Sequence, residues 1–144
     1  MFTAEYSMDI KSNDFDKVWS ILADFNGLPL INNTMTSRIE NGLSVHEVGC
    51  IRFLSLPNDG FVREELVEFN NENHTFSYTI VEGTIPVKGY RAKVTLKNVD
   101  TETVNVHWIA RFDVADSAID GESLATNISQ GVFKICLEGL QACL

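Results

Sequence analysis

The sequence predicts an α+β domain in which a curved, seven-stranded antiparallel sheet wraps around one long C-terminal helix. Two short helices come after the first strand. Three observations point there: a helical stripe straight after one N-terminal strand, a succession of strand patterns up to Asp116, and a closing segment with helical spacing for about six turns. The chain has 144 residues, the size of one ordinary domain. No internal repeat, linker or low-complexity tract divides it, so residues 1–144 are read as a single domain.

Phe2 to Ile10 alternates apolar and polar residues as a half-buried strand does, with Phe2, Ala4, Tyr6, Met8 and Ile10 on one face. Phe15, Val18, Trp19 and Leu22 then recur at the i, i+3, i+4, i+7 spacing of a helix. Ser12, Asn13 and Asp14 offer N-caps, and Gly27 followed by Pro29 stops the helix. Leu28 to Asn33 reads as a second helical turn. Met35 to Glu40 is the next strand, ended by the hairpin signal Asn41-Gly42. Gly49 to Ser55, Phe61 to Phe69, Thr75 to Val81, Val87 to Val99 and Thr103 to Val114 complete the sheet.

The last two strands alternate most cleanly. Tyr90, Ala92, Val94 and Leu96 share one face; Val104, Val106, Trp108, Ala110 and Phe112 share another. Arg91 and Arg111 fall in the wet register. A face so apolar must be covered, and the segment carrying Leu124, Ile128, Gly131, Val132, Ile135, Gly139, Leu140 and Cys143 on one stripe is the cover. Ser117 or Asp120 caps its start. Phe133 and Leu137 fall off that stripe and hint at a second buried face, against the short helices or another subunit. A straight helix lying in a curved sheet cannot touch it everywhere, so a gap is expected between them.

Composition narrows the partners. A net charge of −9 with 11 scattered Lys and Arg lacks the basic footprint of a nucleic-acid binder and disfavours acidic bilayers. No apolar run approaches the ~20 residues of a membrane-spanning helix, and Met1 to Ser12 lacks the pattern of a signal peptide. A cytoplasmic monomer or homodimer with no integral membrane association is the expectation. Three cysteines without close spacing read as reduced thiols. His46, His74 and His107 lie on separate segments, and neither metal-ligand spacing nor a nucleotide-binding or hydrolase motif is present. No metal and no cofactor is expected.

The series Val18-Trp19-Ser20, Phe25-Asn26-Gly27-Leu28-Pro29, Gly49-Cys50-Ile51-Arg52, Arg63-Glu64-Glu65-Leu66, Tyr78, Pro86-Val87-Lys88-Gly89-Tyr90-Arg91 and Trp108 to Asp113 resembles the polyketide cyclase/dehydrase branch of the START-like, or SRPBCC, superfamily. The likeness runs over nearly the whole chain and extends to pollen-allergen-type helix-grip proteins. It implies a helix-grip fold with a cavity for a small hydrophobic molecule such as a lipid, polyketide or isoprenoid. The chain also resembles the plant abscisic acid receptors. Against their gating loop, Ser55-Leu56-Pro57-Asn58 lacks the glycine; against their latch, Ile85-Pro86-Val87 does not match; and Asn32 stands where they carry a carboxylate-binding lysine. Entrance loops at Leu56, Pro57, Asn58, Ile85 and Pro86 are implied; recognition of abscisic acid is not.

By this resemblance Val62, Glu64, Tyr78, Ile80, Tyr90, Ala92, Trp108, Ala110, Ile128, Val132 and Cys136 face the cavity. The strand alternation independently places Tyr78, Ile80, Tyr90, Ala92, Trp108 and Ala110 on the covered face. Glu64 is in phase with Val62 and Leu66, but Val67 and Phe69 make the opposite face apolar too. Its carboxylate therefore either faces the cavity or is a solvated partner of Arg63 or Arg52. Two functions are open. In the first the protein is a carrier or sensor of a lipophilic molecule. In the second it is a cyclase or dehydratase in which Glu64 is general acid/base and Tyr78 or Tyr90 stabilises an oxyanion. A weaker third is an interaction module whose entrance loops change shape when ligand binds.

Overall fold

The computed structural model describes residues 1–144. Its strands are β1 (Phe2–Lys11), β2 (Thr36–Ile39), β3 (Ile51–Ser55), β4 (Phe61–Asn70), β5 (Thr75–Gly83), β6 (Val87–Asp100) and β7 (Thr103–Val114). They form one antiparallel sheet in the order β1-β7-β6-β5-β4-β3-β2. Two short helices, α1 (Phe15–Ala23) and α2 (Leu28–Ile31), come after β1. The chain closes with α3 (Gly121–Ile128), a π turn (Ser129–Phe133) and α4 (Lys134–Ala142) in unbroken succession. This is the α+β helix-grip architecture expected from the pattern.

Caps set the helix starts. Asp14 accepts from the Lys17 amide at 3.1 Å and opens α1. Asp120 takes that role for α3, accepting from the Glu122 and Ser123 amides at 3.1 and 3.2 Å and from the Ser123 hydroxyl. Those bonds, Ser123's first, hold its carboxyl below the usual range. Asn41-Gly42 does not close a tight hairpin. A longer loop joins β2 to β3, and the Asn41 side chain bridges it, donating to the Gly49 carbonyl at 2.8 Å and accepting from the Ile51 amide at 3.2 Å.

The final helix departs from the expected stripe. Ala125, Ile128, Ser129, Phe133, Cys136, Leu137 and Leu140 are buried, whereas Ile135 is exposed and Phe133 and Leu137 are sealed. The π turn is the reason: one turn closes with an extra residue, which rotates everything after it relative to a 3.6-residue period. Phe133 swings onto the sheet and stacks on Trp108 with ring centroids 4.5 Å apart.

Two irregularities between β4 and β5 resolve the ambiguous phase of β4. Arg63 pairs with Glu82 but Glu64 with Ile80, leaving Val81 unpaired; Leu66 pairs with Tyr78 but Glu68 with Ser77, leaving Val67 unpaired. A one-residue bulge flips the face of the strand residues beyond it. Val62, Glu64 and Leu66 thus point inward in the first half, and Phe69 packs against Trp19 in the second. On the outer surface Phe53 stacks on Phe61, with the guanidinium groups of Arg38 and Arg63 4.1 and 5.0 Å from the Phe53 ring centroid. That cover explains apolar residues on both faces of β3.

Candidate functional site

A cavity of about 60 Å³ lies between the sheet and the closing helix, and 13 of its 15 lining residues are apolar. Val62, Ile80, Tyr78, Tyr90 and Trp108 reach it from the sheet, Ile128, Val132 and Phe133 from the helix. Leu28 and Met35 close it beside α2, and Leu56 and Ile85 come from the two loops expected at its mouth. The exceptions to its apolar character are Arg52 and Glu64.

Most of the expected positions meet here, with instructive exceptions. Ala92, Ala110 and Cys136 are fully buried yet do not line the cavity. Pro57, Asn58 and Pro86 also stay outside the lining; Leu56 and Ile85 alone represent their loops. The gap is far narrower than a curved sheet over a straight helix suggests. Small-molecule sites commonly enclose ~300–1,000 Å³. Here Tyr78, Tyr90 and the Trp108–Phe133 stack fill most of it.

Arg52, Leu28, Met35, Leu54 and Phe133 were not among the expected lining. A signal for Arg52 did exist: Cys50, Arg52 and Leu54 share a face by period two, and all three are buried. The apolar Ile51 and Phe53 on the other face concealed it, together with the usual exposure of arginine.

Glu64 satisfies parts of both alternatives: it lines the cavity, and its partner is Arg52, buried with it. The two lie directly opposite on β3 and β4. Arg52 donates to Oε1 of Glu64 through Nε at 2.8 Å and its Nη2 lies 2.7 Å from the same oxygen. Nη1 donates to the Phe25 carbonyl at 3.2 Å. The guanidinium carbon lies 4.0 Å from the centroid of Phe25 and 4.9 Å from that of Tyr78, in the angle between two rings whose centroids are 6.1 Å apart. Burial pushes the Glu64 carboxyl upward, and the charge and hydrogen bonds of Arg52 pull it only part of the way back. Trp108 Nε1 donates to the Tyr78 hydroxyl at 3.0 Å. Burial, above all, raises both Tyr78 and Tyr90 well beyond the usual phenol value, so both stay neutral.

The remaining polar candidates are dispersed. His107 bonds Glu5 on the outer surface, His46 stacks on Phe69, and His74 meets Trp19 and Phe15 edge-on. No three His, Cys, Asp or Glu side chains gather in a metal-holding group. All three cysteines are free thiols. Burial raises Cys50 and pushes Cys136 up to about 11, although Asn32 donates to the Cys136 sulfur at 3.6 Å. At pH 8 only the exposed Cys143 is expected to react quickly with a disulfide reagent, the other two following global unfolding. Three equally fast thiols in a spectrophotometric titration would show that the closing helix does not seal the core.

Comparisons agree with this architecture. Residues 1–144 match the family described as polyketide cyclase / dehydrase and lipid transport. The protein XoxI from Bacillus cereus is 25% identical, with 99% of this chain and 95% of that chain covered and a TM-score of 0.83. A protein from Thermobifida fusca shares the fold at 24% identity and a TM-score of 0.85, covering 98% of this chain and 91% of that one. The major latex-like protein 151 of Panax ginseng does so at 15% identity and 0.81, covering 99% and 96%. Curated proteins yield no match. With the helix-grip fold in place and its full length matched, the chain belongs to the polyketide cyclase/dehydrase and lipid transport family, of SRPBCC type.

Proposed function

We propose that this protein binds a small lipophilic molecule in the space between sheet and closing helix, as a carrier or sensor. The observation that carries the reading is the cavity itself: enclosed by 13 apolar residues and interrupted by a single buried ion pair. Apolar walls with few polar groups suit a lipophile, because transfer from water gains about 25 cal/mol per Å² buried. A cavity of ~150 Å³ is what admits benzene in a protein core, so the present 60 Å³ is a closed form. Uptake requires the cover to move. Leu56 and Ile85 sit on loops rather than in the sheet, so they can swing without breaking strand pairing.

A cyclase or dehydratase role finds less support. Arg52 binds the proposed proton-transfer carboxylate and favours its charged form, which opposes its service as a proton donor. The carrier reading is tested with N-phenyl-1-naphthylamine, an uncharged dye that fluoresces in apolar surroundings. Val132→Trp and Ile128→Trp should each reduce its binding at least tenfold while the circular dichroism spectrum is retained. Undiminished binding in two folded variants would place the dye elsewhere and remove this reading.

A further inference from the structure

We propose that the ligand of this cavity is an uncharged lipophile bearing a hydroxyl, such as an alcohol or phenol, whose O–H donates to Oε2 of Glu64. The inference rests on the carrier reading and adds the chemistry of the ligand's polar end. Arginine and carboxylate commonly meet fork to fork, each oxygen receiving one N–H. Here Nε and Nη2 of Arg52 both address Oε1. Oε2 receives no hydrogen bond from the protein. Every fully enclosed side-chain nitrogen and oxygen in the chain does have a partner. Since Glu64 lines the cavity, its second oxygen must open onto that space. It is an acceptor held in place on a buried strand, with its side chain 7% exposed.

Charge selects among lipophiles. Arg52 and Glu64 together sum to zero, so the cavity wall carries no net charge to be neutralised. A carboxylate or phosphate ester would leave one net negative charge in apolar surroundings, and an ammonium one net positive charge, both strongly disfavoured. Arg52 offers an anion little in return. Three of its five N–H directions are engaged, and the rings of Phe25 and Tyr78 both lie against its guanidinium. A bare hydrocarbon avoids the charge problem but expels water from Oε2 and leaves it without a partner. A hydroxyl meets both conditions.

The test uses three probes on one apolar body: naphthalene, 2-naphthol and 2-naphthoate, titrated into the full chain and followed by amide chemical shifts. In the native protein 2-naphthol should bind at least tenfold more tightly than either other probe. Glu64→Gln keeps an acceptor but removes the negative charge beside Arg52, so 2-naphthoate should gain at least tenfold relative to 2-naphthol. Should that variant fail to fold, the native ranking decides alone. Naphthalene or 2-naphthoate binding as tightly as 2-naphthol would overturn the proposal. So would uptake of the uncharged dye with no binding of 2-naphthol, an outcome that leaves the carrier reading standing. Failure of dye and all probes alike would overturn both.

Discussion

Replacing Arg52 with leucine should destabilise the protein by about 3–5 kcal/mol, the range seen when one member of a buried ion pair is removed. The substitution leaves the Glu64 carboxylate buried without its charge partner, and withdraws the guanidinium that packs against Phe25 and Tyr78. At about 2–4 °C per kcal/mol for a domain of this size, Tm should fall by roughly 6–20 °C. Arg52→Met combined with Glu64→Leu should recover most of the loss, because a packed apolar pair asks for no desolvation of charge. The loss in Arg52→Leu should also depend on pH. Burial raises Glu64 in the folded state, and without Arg52 nothing pulls it back. A carboxyl whose folded value lies above its unfolded value binds its proton more tightly when folded, so stability falls as pH rises through that window. Urea melts should therefore show a smaller deficit at pH 5 than at pH 7.5. Equal deficits at both, or a double variant no more stable than Arg52→Leu, would mean that the pair is not buried as described.

Two glycines of the closing helix should respond to alanine in opposite directions. At Gly139 an added Cβ would lie 1.8 Å from the carbonyl oxygen of Ile31 and 2.8 Å from its carbonyl carbon. Both atoms belong to the backbone of α2, which cannot turn aside as a side chain can. Gly139→Ala must push α2 away from α4, at a cost of about 3 kcal/mol, the upper range for overpacking. Leu28, which lines the cavity, moves with α2, so dye binding should weaken in the same variant. Nothing lies within 4 Å of the corresponding position on Gly131. There alanine removes the conformational freedom of glycine in the unfolded chain and should add up to about 1 kcal/mol. Denaturant midpoints of both variants provide the check; a Gly139→Ala protein as stable as the native one would show that α2 does not rest on α4.

Much of the site was legible because strands repeat every two residues. Tyr78, Ile80, Tyr90 and Trp108 all reach the cavity from faces assigned by alternation. The same rule placed Ala92 and Ala110 inward correctly, but being inward is not the same as reaching the open space. Phe133 and Arg52 escaped for different reasons. Phe133 lies within the π turn, and no periodic template contains an extra residue. Arg52 stands on a strand whose two faces are both apolar, so its direction depends on what covers each side.

By itself the sequence determined the order of elements, the covering of one sheet face by the final helix and the inward faces of the last two strands. Those arise from local spacing, which neighbouring residues enforce whatever the rest of the chain does. Tertiary structure alone decided how little space remains, which oxygen of Glu64 Arg52 holds, and where bulges and the π turn reset the phase. These depend on side chains distant along the chain competing for one volume, and such competition has no period to read.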